Sequence, residues 1–196
     1  ALGLGDEVVS LPLDGALVSG ARVVLGQLPR SLDELDELAG IVAGAASPEV
    51  VLFLGGRIKH MTRAMNDVLL RHFGEVTASL ARQKSRVLVA RAPLADTVPS
   101  AWPVSRRDAA ANLEVVAHGS VFAGARIDVG TRFLLEQLPS MRADARTALD
   151  LGCGSGVLAT AAARARPDLR VVATDQSAGA VASARATADA NGVGEQ

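Results

Sequence analysis

One cysteine, Cys153, stands in a sequence of 196 residues, and a lone thiol can build neither an internal disulfide framework nor a thiolate zinc cluster. That usage fits a reducing compartment, so cytoplasm is the expected location. Long apolar runs are missing as well. Hydrophobic residues make up 49% of the sequence, mostly Ala, Val and Leu in short pieces, and no uncharged stretch approaches the roughly 18 to 20 residues that a bilayer crossing needs. Nothing at the front reads as a secretion signal. Charge of one sign is lacking too: the net charge is −1, which by itself argues neither for nor against nucleic acid. The length allows one domain or two small ones, with ample chain to bury a core.

What is present is an uneven distribution of that charge. Residues 31–56 carry Asp33, Glu34, Asp36, Glu37 and Glu49 and no cation. Residues 57–91 carry eight cations (Arg57, Lys59, Arg63, Arg71, Arg82, Lys84, Arg86 and Arg91) against Asp67 and Glu75. A solvated helix face and turn would account for such an excess, and so would contact with a phosphate backbone, for which Arg82, Lys84 and Arg86 are the candidates.

The most informative stretch is Thr147-Ala-Leu-Asp150-Leu-Gly152-Cys153-Gly154-Ser155-Gly156, followed nineteen residues later by Asp175 at the end of Val171-Val-Ala-Thr-Asp. A short apolar strand delivers the chain into a glycine turn, where missing Cβ atoms let backbone approach a ligand. A helix then starts, and an acidic residue about 20 positions on is placed to accept hydrogen bonds from ribose hydroxyls. Glycine spacing alone leaves both dinucleotides and S-adenosylmethionine open, because Gly154-x-Gly156-x-x-Ala159 also satisfies the dinucleotide pattern. Asp150 favours the second. A carboxylate ahead of the glycines repels a pyrophosphate laid on the helix N-terminus and attracts a sulfonium and an ammonium. Cys153, inside the turn with no partner base evident, is expected to be a small residue tolerated there rather than a nucleophile.

Pro93, Pro99 and Pro103 interrupt regular structure, so residues 93–111 are expected to link a domain at 1–92 to another at 112–196. In the first, a strand at Arg22–Gly26 precedes a capping box, Ser31-Leu-Asp-Glu34, and a helix to about Ala46. A buried parallel strand at Glu49–Leu54, a turn at Gly55-Gly56, a helix from Ile58 to about Phe73 and an antiparallel hairpin of Glu75–Leu80 with Ser85–Arg91 follow. This is the order of the closing half of a methyltransferase-like sheet, without a glycine cofactor loop. In the second, short strands at Leu113–Ala117 and Val121–Phe122 precede a helix from Asp128, the cofactor strand, a helix closed by Pro167, a strand at Leu169–Thr174 and a helix at Ser177–Asn191. The fold class is therefore α/β: a degenerate methyltransferase-like N-terminal part, then the first portion of a Rossmann-like class I methyltransferase domain.

Several stretches together resemble the ribosomal RNA guanine-N2 methyltransferases. They are Gln27-Leu-Pro29-Arg30-Ser31-Leu, Ala81-Arg82-Gln-Lys84-Ser-Arg86, Val121-Phe122 through Asp128-Val-Gly130-Thr131-Arg132-Phe133, the glycine motif, and Asp175-Gln176-Ser177. The resemblance implies S-adenosylmethionine as cofactor, with Gly152, Gly154 and Gly156 near its methionine part, Asp175 on the ribose, Gln176 near the adenine, and Asp128 and Thr131 bordering the methionine end. It implies ribosomal RNA or a ribosomal subunit as partner, with no membrane and no metal. The family's Asn-Pro-Pro-aromatic loop has no counterpart, since no Asn-Pro or Pro-Pro pair occurs. The catalytic loop is thus expected beyond Gln196, the chain is expected to be a fragment of a longer enzyme, and no catalytic residue is assigned; His60, His72 and His118 are expected to be structural. A non-catalytic RNA-binding or assembly module, and a methyltransferase acting on a protein glutamine or a small molecule, are the alternatives.

Overall fold

The computed structural model describes residues 11–94 and 101–195. The chain divides into two compact units, Ala1–Ser100 and Ala101–Gln196.

In the first unit a single helical turn α1 (Gly15–Val18) precedes β1 (Val23–Gln27), α2 (Leu32–Ala45), β2 (Val51–Arg57), a 3-10 turn at Ile58–His60, α3 (Arg63–Leu70), β3 (Phe73–Ala78) and β4 (Ser85–Pro93). Helix α2 starts where the capping box predicts: the Ser31 hydroxyl accepts the Glu34 amide at 3.3 Å, and Leu35, Ala39 and Val42 fall on one buried face. The strands are ordered β1-β2-β4-β3, with β1 and β2 parallel and the last strand, β4, inserted antiparallel between β2 and β3. Leu52 and Leu54 of β2, Leu69 of α3, Phe73 of β3 and Leu88 of β4 join the α2 face in one core. Burying each such side chain stabilises the unit by about 1.5–3 kcal/mol.

Two expectations change here. Gly55 and Gly56 are not a turn; they lie within β2, paired with Val87 and Arg86. The small size of Gly56 serves packing, since a Cβ there would stand 3.2 Å from the Leu28 side chain, whereas one on Gly55 would meet nothing within 4 Å. The helix expected over 58–73 is also broken. The chain is extended at Met61 and Thr62, and Thr62 is the N-cap of the shorter α3; Phe73 instead opens β3, where it is fully buried.

The second unit begins within the segment expected to be a linker. Residues 95–100 of that segment lie outside the described residues, but Val104–Asp108 forms β5, antiparallel to β6 (Leu113–Ala117). Pro103 precedes the strand rather than interrupting it, and the Asp108 carboxylate closes the hairpin by accepting the Ala111 amide at 2.9 Å. There follow α4 (Val129–Leu135), a 3-10 turn at Leu138–Ser140, β7 (Thr147–Leu151), α5 (Val157–Ala165), β8 (Arg170–Thr174) and α6 (Ala178–Ala190), with β7 and β8 parallel. The strand expected at Val121–Phe122 is a turn: the Val121 amide donates to His118 and the Gly124 amide to Val121, with Ala123 and Gly124 left-handed.

Helix α6 does the work of a strand beside β6. Ser183 accepts the His118 amide at 3.0 Å, Thr187 accepts the Val116 amide at 3.0 Å and donates to its carbonyl at 3.1 Å, and Asn191 accepts the Glu114 amide at 3.1 Å and donates to its carbonyl at 2.7 Å. Four helical residues rise about 6 Å and two strand residues about 6.6 Å, so side chains four apart on the helix match every second peptide of the strand. This anchors the helix whose N-terminus borders the site.

Candidate cofactor site

Strand β7 ends in the glycine turn, and the turn is tied to the end of β8: the amides of Gly152 and Cys153 both donate to the Thr174 carbonyl, at 2.8 and 3.0 Å. The Gly154 amide donates to Asp175 Oδ2 at 3.1 Å, while Asp175 Oδ1 accepts the Ser177 amide at 2.9 Å. These amide bonds, from Ser177 first and then Gly154, hold the Asp175 carboxyl below its ordinary value. Asp150 behaves oppositely. Burial raises its pKa, the nearby Asp175 charge adds to this, and the Ala159 amide, which donates to Asp150 Oδ2 at 3.1 Å, opposes it. Asp150 therefore reaches from the end of β7 onto the first turn of α5.

The turn, the two carboxylates and the segment 120–131 surround a cavity of about 310 Å³, within the usual size of small-molecule sites. Seven of the eight sequence-predicted positions line it: Asp128, Thr131, Asp150, Gly152, Gly154, Asp175 and Gln176. Gly156 does not. It has φ of +74°, and a Cβ there would sit 2.6 Å from the Ala184 Cα, so its smallness lets α5 and α6 meet rather than letting a ligand approach. Asp128 is the N-cap of α4: one oxygen accepts the Gly130 and Thr131 amides and the other the Thr131 hydroxyl at 2.6 Å, and the hydroxyl bond leads in holding its pKa down.

Cys153 is buried, and desolvation, followed by the charges of Asp150 and Asp175, pushes its thiol up. A thiol so placed is inert as a nucleophile. Sequence reasoning did not single out Ser120 or Arg126, nor assign Phe122 to the site, yet all three line the cavity, and Phe122 is 83% exposed. An isolated large apolar residue before a small-residue turn was the available signal. His118 and His72 stay outside the cavity lining; His72 pairs with Asp36 at 2.7 Å in the first unit. Arg82, Lys84 and Arg86 belong to the first unit's hairpin. The wall is thus acidic at three points with Arg126 as its cation, a field that favours a ligand carrying positive charge.

Among the described residues no helix is long and apolar enough to cross a membrane. Residues 4–94 match the RLMG N-terminal domain family, and residues 112–196 match the methyltransferase small domain family. The ribosomal RNA large subunit methyltransferase G of Pseudomonas entomophila is 40% identical over 180 residues, covering 92% of this chain and 48% of that protein. That of Pseudomonas putida (strain GB-1) is 39% identical over 162 residues, covering 83% and 43%. The chain thus spans about half the length of the relatives it matches. Among solved structures, the Thermus thermophilus 16S rRNA N2 G1207 methyltransferase in complex with AdoMet and guanosine aligns with a TM-score of 0.68 at 22% identity, over 89% of this chain and 49% of that one. This likeness establishes the Rossmann-like methyltransferase fold. By these matches the chain joins an RLMG N-terminal domain, residues 4–94, to a methyltransferase small domain, residues 112–196.

Proposed function

We propose that the cavity of the second unit holds S-adenosylmethionine and that the protein methylates guanine N2 in ribosomal RNA. The observation that carries this reading is the pair Asp150 and Asp175, set on either side of the glycine turn in one cavity. Asp175, kept ionised by the Gly154 and Ser177 amides, has lone pairs left for ribose hydroxyls. Gln176 is adjacent for the adenine edge. Gly152 and Gly154 leave the backbone bare toward the methionine part, and Asp150 faces its cationic end. Asp128 and Thr131 border that end chiefly by fixing the start of α4.

S-adenosylmethionine, when bound, supplies an electrophilic methyl group on sulfur. The residues here bind and orient: they fix the donor and disfavour an anionic competitor such as a pyrophosphate. The overall change forms an N–CH3 bond on the exocyclic amine, breaks the S–CH3 bond and releases one proton. No residue of this sequence is assigned to orienting the target base, which must be unstacked to be reached. Arg82, Lys84 and Arg86 are the proposed RNA contacts, and ribosomal RNA or a ribosomal subunit in the cytoplasm is the proposed partner.

Incubating the protein with methyl-labelled cofactor and ribosomal RNA lacking this modification tests the reading. Label recovered as N2-methylguanosine after nuclease digestion supports it. Label recovered in protein glutamine or in a small molecule instead contradicts it.

A further inference from the structure

We infer that Arg126 is the counter-ion for the α-carboxylate of S-adenosylmethionine and makes the site select the complete amino-acid tail. The inference rests on the proposed cofactor and adds the residue that recognises its one negative charge.

The ligand's charges are mixed: the sulfonium and the α-ammonium are positive, and the α-carboxylate is negative. Asp128, Asp150 and Asp175 in the cavity wall attract the first two and repel the third. A carboxylate taken out of water beside them needs a donor of its own. The ordinary donor in such a fold is a helix N-terminus, where free amides and the helix dipole receive an anion.

Three helices begin at this cavity, and an aspartate already draws on the backbone at each start. Asp128 accepts the Gly130 and Thr131 amides at 2.9 and 3.2 Å at the head of α4. Asp150 accepts the Ala159 amide on the first turn of α5 at 3.1 Å. Asp175 accepts the Ser177 amide at 2.9 Å, and the Ser177 hydroxyl in turn accepts the Ala180 amide at 3.3 Å at the head of α6. An incoming anion therefore meets a like charge at every helix start.

That leaves Arg126, the one cation among the described residues lining the cavity. Its backbone is held on both sides. The Arg126 amide donates to the Ala123 carbonyl at 3.3 Å, and Ile127 is buried in one cluster with Val157, the first residue of α5. Its guanidinium is exposed and uncommitted among the described residues, whereas Arg132 pairs with Asp108, Arg164 with the Asn112 carbonyl and Arg166 with Asp168. Asp128, two residues on, does not claim it, because its second oxygen takes the Thr131 hydroxyl at 2.6 Å. The planar fork of arginine donors matches a carboxylate with two parallel hydrogen bonds. Arg126 also lies on the segment that carries Asp128 and Thr131, the residues proposed at the methionine end, and not on the segment of Gln176 proposed at the adenine.

The test titrates the chain calorimetrically with S-adenosylmethionine and with its decarboxylated analogue, which keeps the sulfonium, the amine and the adenosine and lacks the carboxylate. Wild type is expected to bind the complete cofactor about tenfold tighter than the analogue. In R126Q the affinity for S-adenosylmethionine should fall about tenfold while that for the analogue stays within about twofold of wild type, which also shows that the variant is folded. R126K should recover part of the preference, since it restores the charge without the fork. Equal affinity of wild type for the two ligands overturns the inference and leaves the cofactor reading standing. So does an R126Q variant that keeps the preference, or one that loses both ligands to the same extent. Weaker binding of ribosomal RNA by R126Q with the preference retained assigns the guanidinium to a phosphate and likewise overturns it. Failure of wild type to bind either ligand sinks the cofactor reading itself.

Discussion

The amide of Gly154 donates to the carboxylate of Asp175 at 3.1 Å, joining the glycine turn after β7 to the acidic tip of β8. Two features that lie twenty-one residues apart in sequence thereby form one wall of the cavity.

Replacing Asp175 with Ala removes the acceptor for the Gly154 and Ser177 amides. The expected cost is about 1–3 kcal/mol of stability, together with a loss of cofactor affinity. Because the folded-state pKa of Asp175 is depressed, its contribution is present above the ordinary carboxylate value and is lost as pH falls through the depressed one. Chemical denaturation of wild type and D175A should therefore differ at neutral pH and converge in acid.

Asp150 carries the opposite sign. Its folded-state pKa is raised, mainly by burial, so its ionised form adds no stability: any contribution is present below the ordinary value and lost as pH rises through the raised one. D150N should unfold within about 1 kcal/mol of wild type. A cationic ligand needs the ionised form, so affinity for S-adenosylmethionine should rise with pH through the raised pKa in wild type. In D150N, calorimetry should show weaker and pH-independent binding.

Gly156 and Gly192 both have positive φ, but a Cβ on Gly156 meets the Ala184 backbone at 2.6 Å, whereas one on Gly192 meets nothing within 4 Å. G192A should cost about 1–2 kcal/mol for the left-handed backbone alone. G156A adds overpacking worth roughly 1–3 kcal/mol more and should separate α5 from α6, which thermal unfolding of the two variants would resolve.

Thr187→Val keeps the shape of a buried side chain and removes both hydrogen bonds to Val116. Leaving that amide and carbonyl unpaired should cost about 1–3 kcal/mol for each group. Thr187→Ser restores the hydroxyl and should recover most of the loss in denaturant melts, with faster amide exchange at Val116 confined to the Val variant.

What the sequence made legible was local. The Ser31 cap, the glycine turn, the spacing to Asp175 and the β3–β4 hairpin each depend on residues near one another in the chain, and the family resemblance placed Asp128 and Gln176 on the same cavity. What it left hidden depends on partners far away. Gly55 and Gly56 look like a turn until Leu28, whose amide donates to the Gly55 carbonyl, is seen beside them, and the stretch 58–73 reads as one helix although the chain is extended at Met61 and Thr62 and Phe73 belongs to the core of β3. Strand β5 is the exception: its partner β6 follows across one short hairpin, and Pro103 just ahead of it masked the strand. The period-four series Ser183, Thr187, Asn191 reads as an ordinary polar helix face until β6 is laid beside it. Gly156 looked like a ligand contact because its role is set by Ala184 on another helix.

The most direct test of the central claim is calorimetric titration of the chain with S-adenosylmethionine and, in parallel, with NAD. The account predicts saturable one-to-one binding of S-adenosylmethionine, weakened in D175A and D150N, and no measurable binding of NAD. Binding of NAD in preference, or S-adenosylmethionine affinity indifferent to both aspartates, would contradict it.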